Sequence, residues 1–142
     1  MQRIEWTPRL SVGVPLIDQQ HQSLIGRIRD LAQAVEEYQG IGVVTSTLNF
    51  LIEYADYHFS TEEKHMTGND YPGLEYHKGQ HEEFRRTLAN LETDFQEEGS
   101  SQDLAGSIKT FLFDWFVTHI DRVDRGFGAF LAHKGVVLDA EE

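Results

Sequence analysis

The sequence predicts an all-α protein, an antiparallel up-down-up-down four-helix bundle with an N-terminal arm and a short C-terminal helix. Two observations predict it. Four stretches carry apolar residues three and four positions apart, the period of one helix face, and no stretch alternates as a half-buried strand would. The breaks between the four are short, so each helix must return beside the one before it. The length, 142 residues, suits one core rather than two, and residues 1–142 read as a single domain.

The elements follow in order. After an arm ending near Pro15, Ile17, Leu24, Ile25, Ile28, Leu31, Ala32 and Val35 mark the first helix, which Gly40 and Gly42 interrupt. Val44, Leu48, Leu51, Ile52, Ala55 and Phe59 continue the period toward Met66 in the second. Asn69, Asp70, Pro72 and Gly73 form a turn. Leu74, Phe84, Leu88, Leu91 and Phe95 give the third helix if His77 and His81 belong to its stripe. Past Gly99, Ser100 and Ser101, the fourth places Leu104, Ile108, Phe111, Leu112 and Trp115 on one face, and Phe127, Phe130 and Leu131 add the short final helix.

Composition narrows the chemistry. With 24 acidic against 12 basic residues the net charge is -12, which disfavours nucleic acid and anionic membrane surfaces as partners. Without cysteine there is no disulfide, thiolate nucleophile or iron-sulfur cluster, so any metal must use His and carboxylates. MQRIEWTPRL lacks the apolar run of a signal peptide, no run is long enough to span a membrane, and the cytoplasm is the expected compartment.

Five of the seven histidines, His21, His58, His77, His81 and His119, fall on the apolar stripes, and Glu62 lies one turn beyond His58 on the same face. Height agrees with direction. His21 lies near the start of the first helix, His58 and Glu62 toward the end of the second, His77 and His81 near the start of the third, and His119 toward the end of the fourth. In an antiparallel bundle those positions share one level. Five imidazoles and a carboxylate in one layer of an apolar core would each cost a few kcal/mol if unpartnered, and a metal would satisfy them together. His65, about 10 Å further along the axis than His58, belongs to an outer contact or the surface, and His133 to the surface.

Asp124 lies five residues after His119, which turns it about 140° away on a regular helix, where Val123 would continue the apolar stripe. A π-bulge, which inserts one residue into a turn, would bring Asp124 over His119. Spacing alone leaves Asp124, Asp121 and no ligand from this segment all open.

Three segments carry a family resemblance: IDQQHQSLI around His21, HFSTEEKHMTGNDYPGLEYHKGQHEEF from His58 to Phe84, and WFVTHIDRVD from Trp115 to Asp124. The chain resembles the bacterial hemerythrins from about Ile4 to Leu131. The resemblance implies a cofactor of two non-haem iron ions with a bridging oxo or hydroxo group, ligated by His21, His58, Glu62, His77, His81, His119 and Asp124, with Glu62 and Asp124 bridging. It also selects Asp124, since the family has the same His-to-Asp spacing. Two octahedral ions offer about twelve positions; five histidines, two bridging carboxylates and one bridging hydroxide leave one open, where dioxygen would bind. By the same resemblance His77, His81 and His119 hold the saturated iron, and His21 and His58 the one that accepts oxygen. Leu24, Phe59, Trp115, Phe116 and Ile120 match the residues walling the oxygen pocket. Phe116 stands where the family usually has Leu and implies a tighter pocket; Phe127 stands where the family often has Tyr.

The function this implies is reversible dioxygen binding for oxygen carriage, storage or delivery, by a monomer that is not an enzyme. Only two carboxylates ligate the site, whereas carboxylate-rich di-iron sites carry more anionic ligands and better stabilise oxidised iron. The alternatives are an oxygen- or redox-sensing module, which would need a protein partner to read it, and a di-iron peroxidase or ferroxidase.

Overall fold

The computed structural model describes residues 3–141. Pro15, at the first helical position where its missing N–H costs nothing, opens α1 (Pro15–Glu36), which buries Leu24, Ile25, Ile28, Leu31 and Val35. The helix α2 (Ile41–Gly68) buries Val44, Leu48, Leu51, Ala55, Phe59 and Met66. A turn in which Asp70 takes a left-handed conformation (φ 55°), tolerated by Asp, leads to α3 (Leu74–Glu98). Gly99 (φ 73°) ends α3, and the Ser101 hydroxyl accepts from the Leu104 N–H at 3.0 Å to start α4 (Gln102–Ser107).

From there the chain stays right-handed helical to Lys134 through π-helical Ile108–Asp114, α5 (Trp115–His119), π-helical Ile120–Asp124 and α6 (Arg125–Lys134). These make one fourth rod, and the short C-terminal helix is its continuation. Packing runs in a ring: α1 on α2, α2 on α3, α3 on the fourth rod, and the fourth rod on α1.

The two π segments set which face the fourth rod buries. Leu104, Ile108, Leu112, Phe116, Ile120 and Asp124 are all buried, although they recur every four residues. On a regular helix the twenty residues from Leu104 to Asp124 turn about 2000°, about 200° beyond five whole turns. One extra residue accommodated in each π segment leaves about 1800°, five whole turns, and the series stays on one face. The same shift corrects an expectation. Phe111, expected in the stripe, is 55% exposed, and Phe113 is buried instead.

Two apolar clusters result. The larger fills most of the bundle, from Leu24 to Val35, Val44 to Phe59, Phe84 to Phe95 and Leu104 to Ile120. The smaller joins Val14, Ile17, Met66, Phe127 and Leu131, taken from the ends of the rods. Gly128 is required where the arm crosses the fourth rod, because a Cβ there would run into the Val12 carbonyl. After Gly135 (φ 74°) the tail turns back over α1, where the Leu138 carbonyl accepts from the Leu16 N–H at 3.1 Å. Among the described residues no helix is long and apolar enough to cross a membrane.

Candidate metal centre

The layer between the two apolar clusters is polar and closed to bulk solvent. His21, His58, Glu62, His77, His81, His119 and Asp124 are each at most 2% exposed. They come from all four rods: His21 from α1, His58 and Glu62 from α2, His77 and His81 from α3, His119 and Asp124 from the fourth. The π-helical turn between His119 and Asp124 brings both inward, with Asp124 Oδ1 3.1 Å from His119 Nε2. Asp121 points to solvent, where it accepts from Arg125 Nε at 2.9 Å.

The imidazoles divide into two sets spanned by both carboxylates. Glu62 Oε1 lies 3.2 Å from His81 Nε2 and 3.3 Å from His58 Nε2. Asp124 places Oδ1 2.6 Å from His77 Nε2 and Oδ2 3.0 Å from His21 Nε2. Donor atoms of Glu62, His77, His81 and His119 all lie within 4.8 Å of one another, as do those of His21, His58 and Glu62. The result is a three-histidine and a two-histidine group sharing two carboxylates.

Three of the outward-facing ring nitrogens are held as well, while His21 Nδ1 is buried without a partner among the described residues. His81 Nδ1 meets Glu63 Oε2 at 2.7 Å, His58 Nδ1 meets Gln20 Oε1 at 2.8 Å, and His119 Nδ1 meets Gln80 Oε1 at 3.3 Å. An acceptor on Nδ1 keeps the proton there and turns a lone pair on Nε2 inward. Gln20, Glu63 and Gln80 were not foreseen from the sequence. Each is the chain neighbour of a predicted ligand, which is the only trace they leave there.

Electrostatics set the two carboxylates apart. Burial, reinforced by the charge of Asp124, raises the Glu62 carboxyl well above its usual value, so it tends to take a proton. Burial would raise Asp124 too, but His119, His21 and His77 overrule it and hold it well below the carboxylate range. Burial and His21 push His58 down, and burial pushes His81 down to about 4 despite Glu63. At His119 burial is overruled by Asp124, and the pKa rises. Opposite shifts among neighbouring groups show that this buried layer acts as one coupled set of charges, the pattern that functional sites share with structural ion-pair networks.

The same layer passes a test for metal. His21 Nε2, His58 Nε2, His81 Nε2, His119 Nε2, both Glu62 oxygens and Asp124 Oδ2 are buried without a hydrogen-bond partner. Several approach one another within 3.3 Å, but not along donor directions. Native cores rarely leave so many acceptors unmet in one place. Cations between them would satisfy the lone pairs, and imidazole with carboxylate suits iron, with no thiolate to draw a softer ion.

Apolar side chains close around the two sets. Leu24, Phe59, Phe116 and Ile120 are fully buried, while Trp115 is half-buried. The Phe116 ring stands edge-on to His21, centroids 5.2 Å apart, and to His58 at 6.3 Å. Phe59 stacks on His81 at 4.0 Å and Trp115 on His119 at 5.0 Å. His65 is partly buried on the outside of α2, and His133 is exposed.

A four-rod bundle with two buried histidine groups sharing two carboxylates defines the class of non-haem di-metal helix-bundle proteins. Residues 12–131 match the hemerythrin HHE cation binding domain, and the chain belongs to that family. It is 29% identical over 127 residues to the bacteriohemerythrin of Stenotrophomonas maltophilia, covering 89% of this chain and 80% of that one. Against the bacteriohemerythrin of Methylococcus capsulatus it is 30% identical over 136 residues, covering 93% and 99%. A crystal structure of hemerythrin, in a leucine-to-tyrosine variant, superposes with a TM-score of 0.78 at 27% identity, covering 93% of this chain and 99% of that one. The family's cofactor is a di-iron centre, its ligand dioxygen, and the buried cluster is compatible with both.

Proposed function

We propose that His77, His81 and His119 hold one iron, His21 and His58 the other, and Glu62 with Asp124 bridge them, in a protein that binds dioxygen reversibly for carriage, storage or delivery. The unequal division of histidines, three against two around shared carboxylates, carries the reading, because it leaves the open position on the His21–His58 side. When bound, the iron pair supplies the electrons that dioxygen takes up and returns.

The chain's own residues do the rest. Phe116, edge-on to His21 and His58, takes the space that water would otherwise occupy beside the open position. Phe59 backs His81, and Leu24 and Ile120 complete an apolar wall, which favours a small apolar ligand over a polar substrate. Glu63 and Gln20 hold protons on the outer nitrogens of His81 and His58, so that both rings face inward as ligands. In this reading the protein works as a cytoplasmic monomer with dioxygen as its ligand.

The test is the optical spectrum of the reduced, iron-loaded protein as oxygen is admitted and then purged. Visible bands that come with oxygen and vanish on purging are expected. Bands that persist until a reductant is added would overturn reversible carriage and move the reading to redox sensing or catalysis.

A further inference from the structure

Resting on that ligand assignment, we propose that Glu141, in the exposed tail, is a positioning residue for His58 and works by fixing the orientation of the Gln20 side chain between them. The tail lies over α1 and α2 through a set of specific contacts. Gln19 Nε2 donates to the Glu141 carbonyl at 3.0 Å, and the Glu141 N–H donates to Gln19 Oε1 at 2.7 Å. The Glu141 carboxylate then receives Tyr57 Oη–H at 2.6 Å and Gln20 Nε2–H at 2.9 Å on the same oxygen, Oε1. On the far side of Gln20, Oε1 meets His58 Nδ1 at 2.8 Å.

The logic is that of donors and acceptors. A side-chain amide offers NH2 on one side and C=O on the other, and nothing in its shape decides which faces which. Glu141 decides it, because an ionised carboxylate only accepts. The Gln20 NH2 must face the tail, so its carbonyl faces His58, so the His58 proton sits on Nδ1 and the Nε2 lone pair faces Glu62. Take the carboxylate away and Gln20 is free to turn over, offering NH2 to Nδ1. The proton then moves to Nε2, and that tautomer cannot ligate a metal. His81 needs no such relay, since Glu63 touches its Nδ1 directly and can only accept. Of these two rings, His58 alone depends on a surface residue two hydrogen bonds away. Gln20 is itself 1% exposed, so its misorientation could not be repaired by bulk water.

The experiment uses the metal-free 142-residue protein with 15N-labelled histidine, read by long-range proton–nitrogen correlation, which reports the tautomer without iron or oxygen. The wild type should show His58 as the Nδ1–H form alone. Glu141→Ala should show a mixture containing Nε2–H and should load iron with up to about tenfold weaker affinity, the low end for losing a direct partner of a ligand histidine. Adding Gln20→Glu to Glu141→Ala should restore the single Nδ1–H form, because a carboxylate at position 20 can only accept. An unchanged His58 tautomer in Glu141→Ala would overturn the proposal, as would failure of the double variant to restore it. Glu141 is exposed, so the single variant should fold. Because no oxygen is involved, a negative result here is distinguishable from failure of the oxygen-binding reading.

Discussion

Removing the metal should cost this protein more stability than the loss of any one side chain. Leaving aside His21 Nδ1, which a metal held on Nε2 would not relieve, seven buried nitrogen and oxygen atoms of the histidine layer lack hydrogen-bond partners among the described residues: Nε2 of His21, His58, His81 and His119, Oδ2 of Asp124, and both oxygens of Glu62. At the low end of about 1 kcal/mol for each unmet buried polar atom, about 7 kcal/mol of unfavourable free energy sits in the metal-free layer. Proton uptake by Glu62 and His119 relieves part of it. If half remains, iron loading stabilises the fold by about 3–4 kcal/mol, and for a chain of this size that is a rise in melting temperature of about 10 °C or more. The assay is thermal unfolding followed by circular dichroism, with and without iron, under anaerobic reducing conditions. Glu62→Leu supplies the opposite sign. It should abolish the iron-dependent rise while stabilising the metal-free protein by about 1 kcal/mol or more, because an apolar group replaces two unmet acceptors. Coincident melting of loaded and metal-free wild type would refute the reasoning, and so would a metal-free Glu62→Leu variant clearly less stable than the wild type.

Three other outcomes are expected. Phe116→Leu removes a ring edge-on to His21 and His58, so it should cost about 1 kcal/mol and speed both oxygen release and autoxidation several-fold by stopped-flow; rates equal to wild type would remove Phe116 as a gate. Gly128→Ala should destabilise by about 1–3 kcal/mol in urea titrations because its Cβ meets the Val12 carbonyl, whereas Gly106→Ala, with open space around the new methyl, should be neutral or stabilising by up to about 1 kcal/mol. Metal-free protein carrying Glu62→Gln should lose stability as pH falls from about 6.5 toward 4. His58 and His81 are held below their unfolded value and outweigh His119, which is raised and works the other way, so the unfolded chain binds more protons across that window. Glu62, shifted upward, works in the opposite direction in the wild type, so the variant should show the steeper decline, and a rise on acidification would contradict it.

How far the amino-acid string announced this structure differs from element to element. The three regular helices were legible because their apolar stripes obey the helical period and their ends carry Pro15, Gly40 and Gly99. The histidine layer was legible because direction and height can both be counted from helix starts. The fourth rod was less so. Counting at 100° per residue wrongly put Phe111 inside and left the direction of Asp124 open, and both come from π turns that no composition rule marks. A signal existed all the same: Leu104, Ile108, Leu112, Phe116 and Ile120 recur every four residues, a spacing that drifts off one face unless the helix is locally widened. Gln20, Glu63 and Gln80 are ordinary flank residues in the sequence, and only packing shows that they touch ligand rings. The return of the tail to Gln19, Gln20 and Tyr57 joins residues more than eighty positions apart and leaves no periodic trace.

The smaller apolar cluster has a kinetic consequence. Val14, Ile17, Met66, Phe127 and Leu131 lie at rod ends, where helices fray first, and they cover one side of the histidine layer. The larger cluster on the other side runs through the rod interiors to their opposite ends and contains many more side chains. Exchange of ions with the surroundings therefore needs only a sub-global opening of those end turns, leaving the long interior intact. Amide hydrogen exchange should divide the molecule accordingly, with the turns around Ile17, Met66 and Phe127 opening more readily than those around Leu31, Leu51 and Leu88. The rate of iron loss should follow the first group.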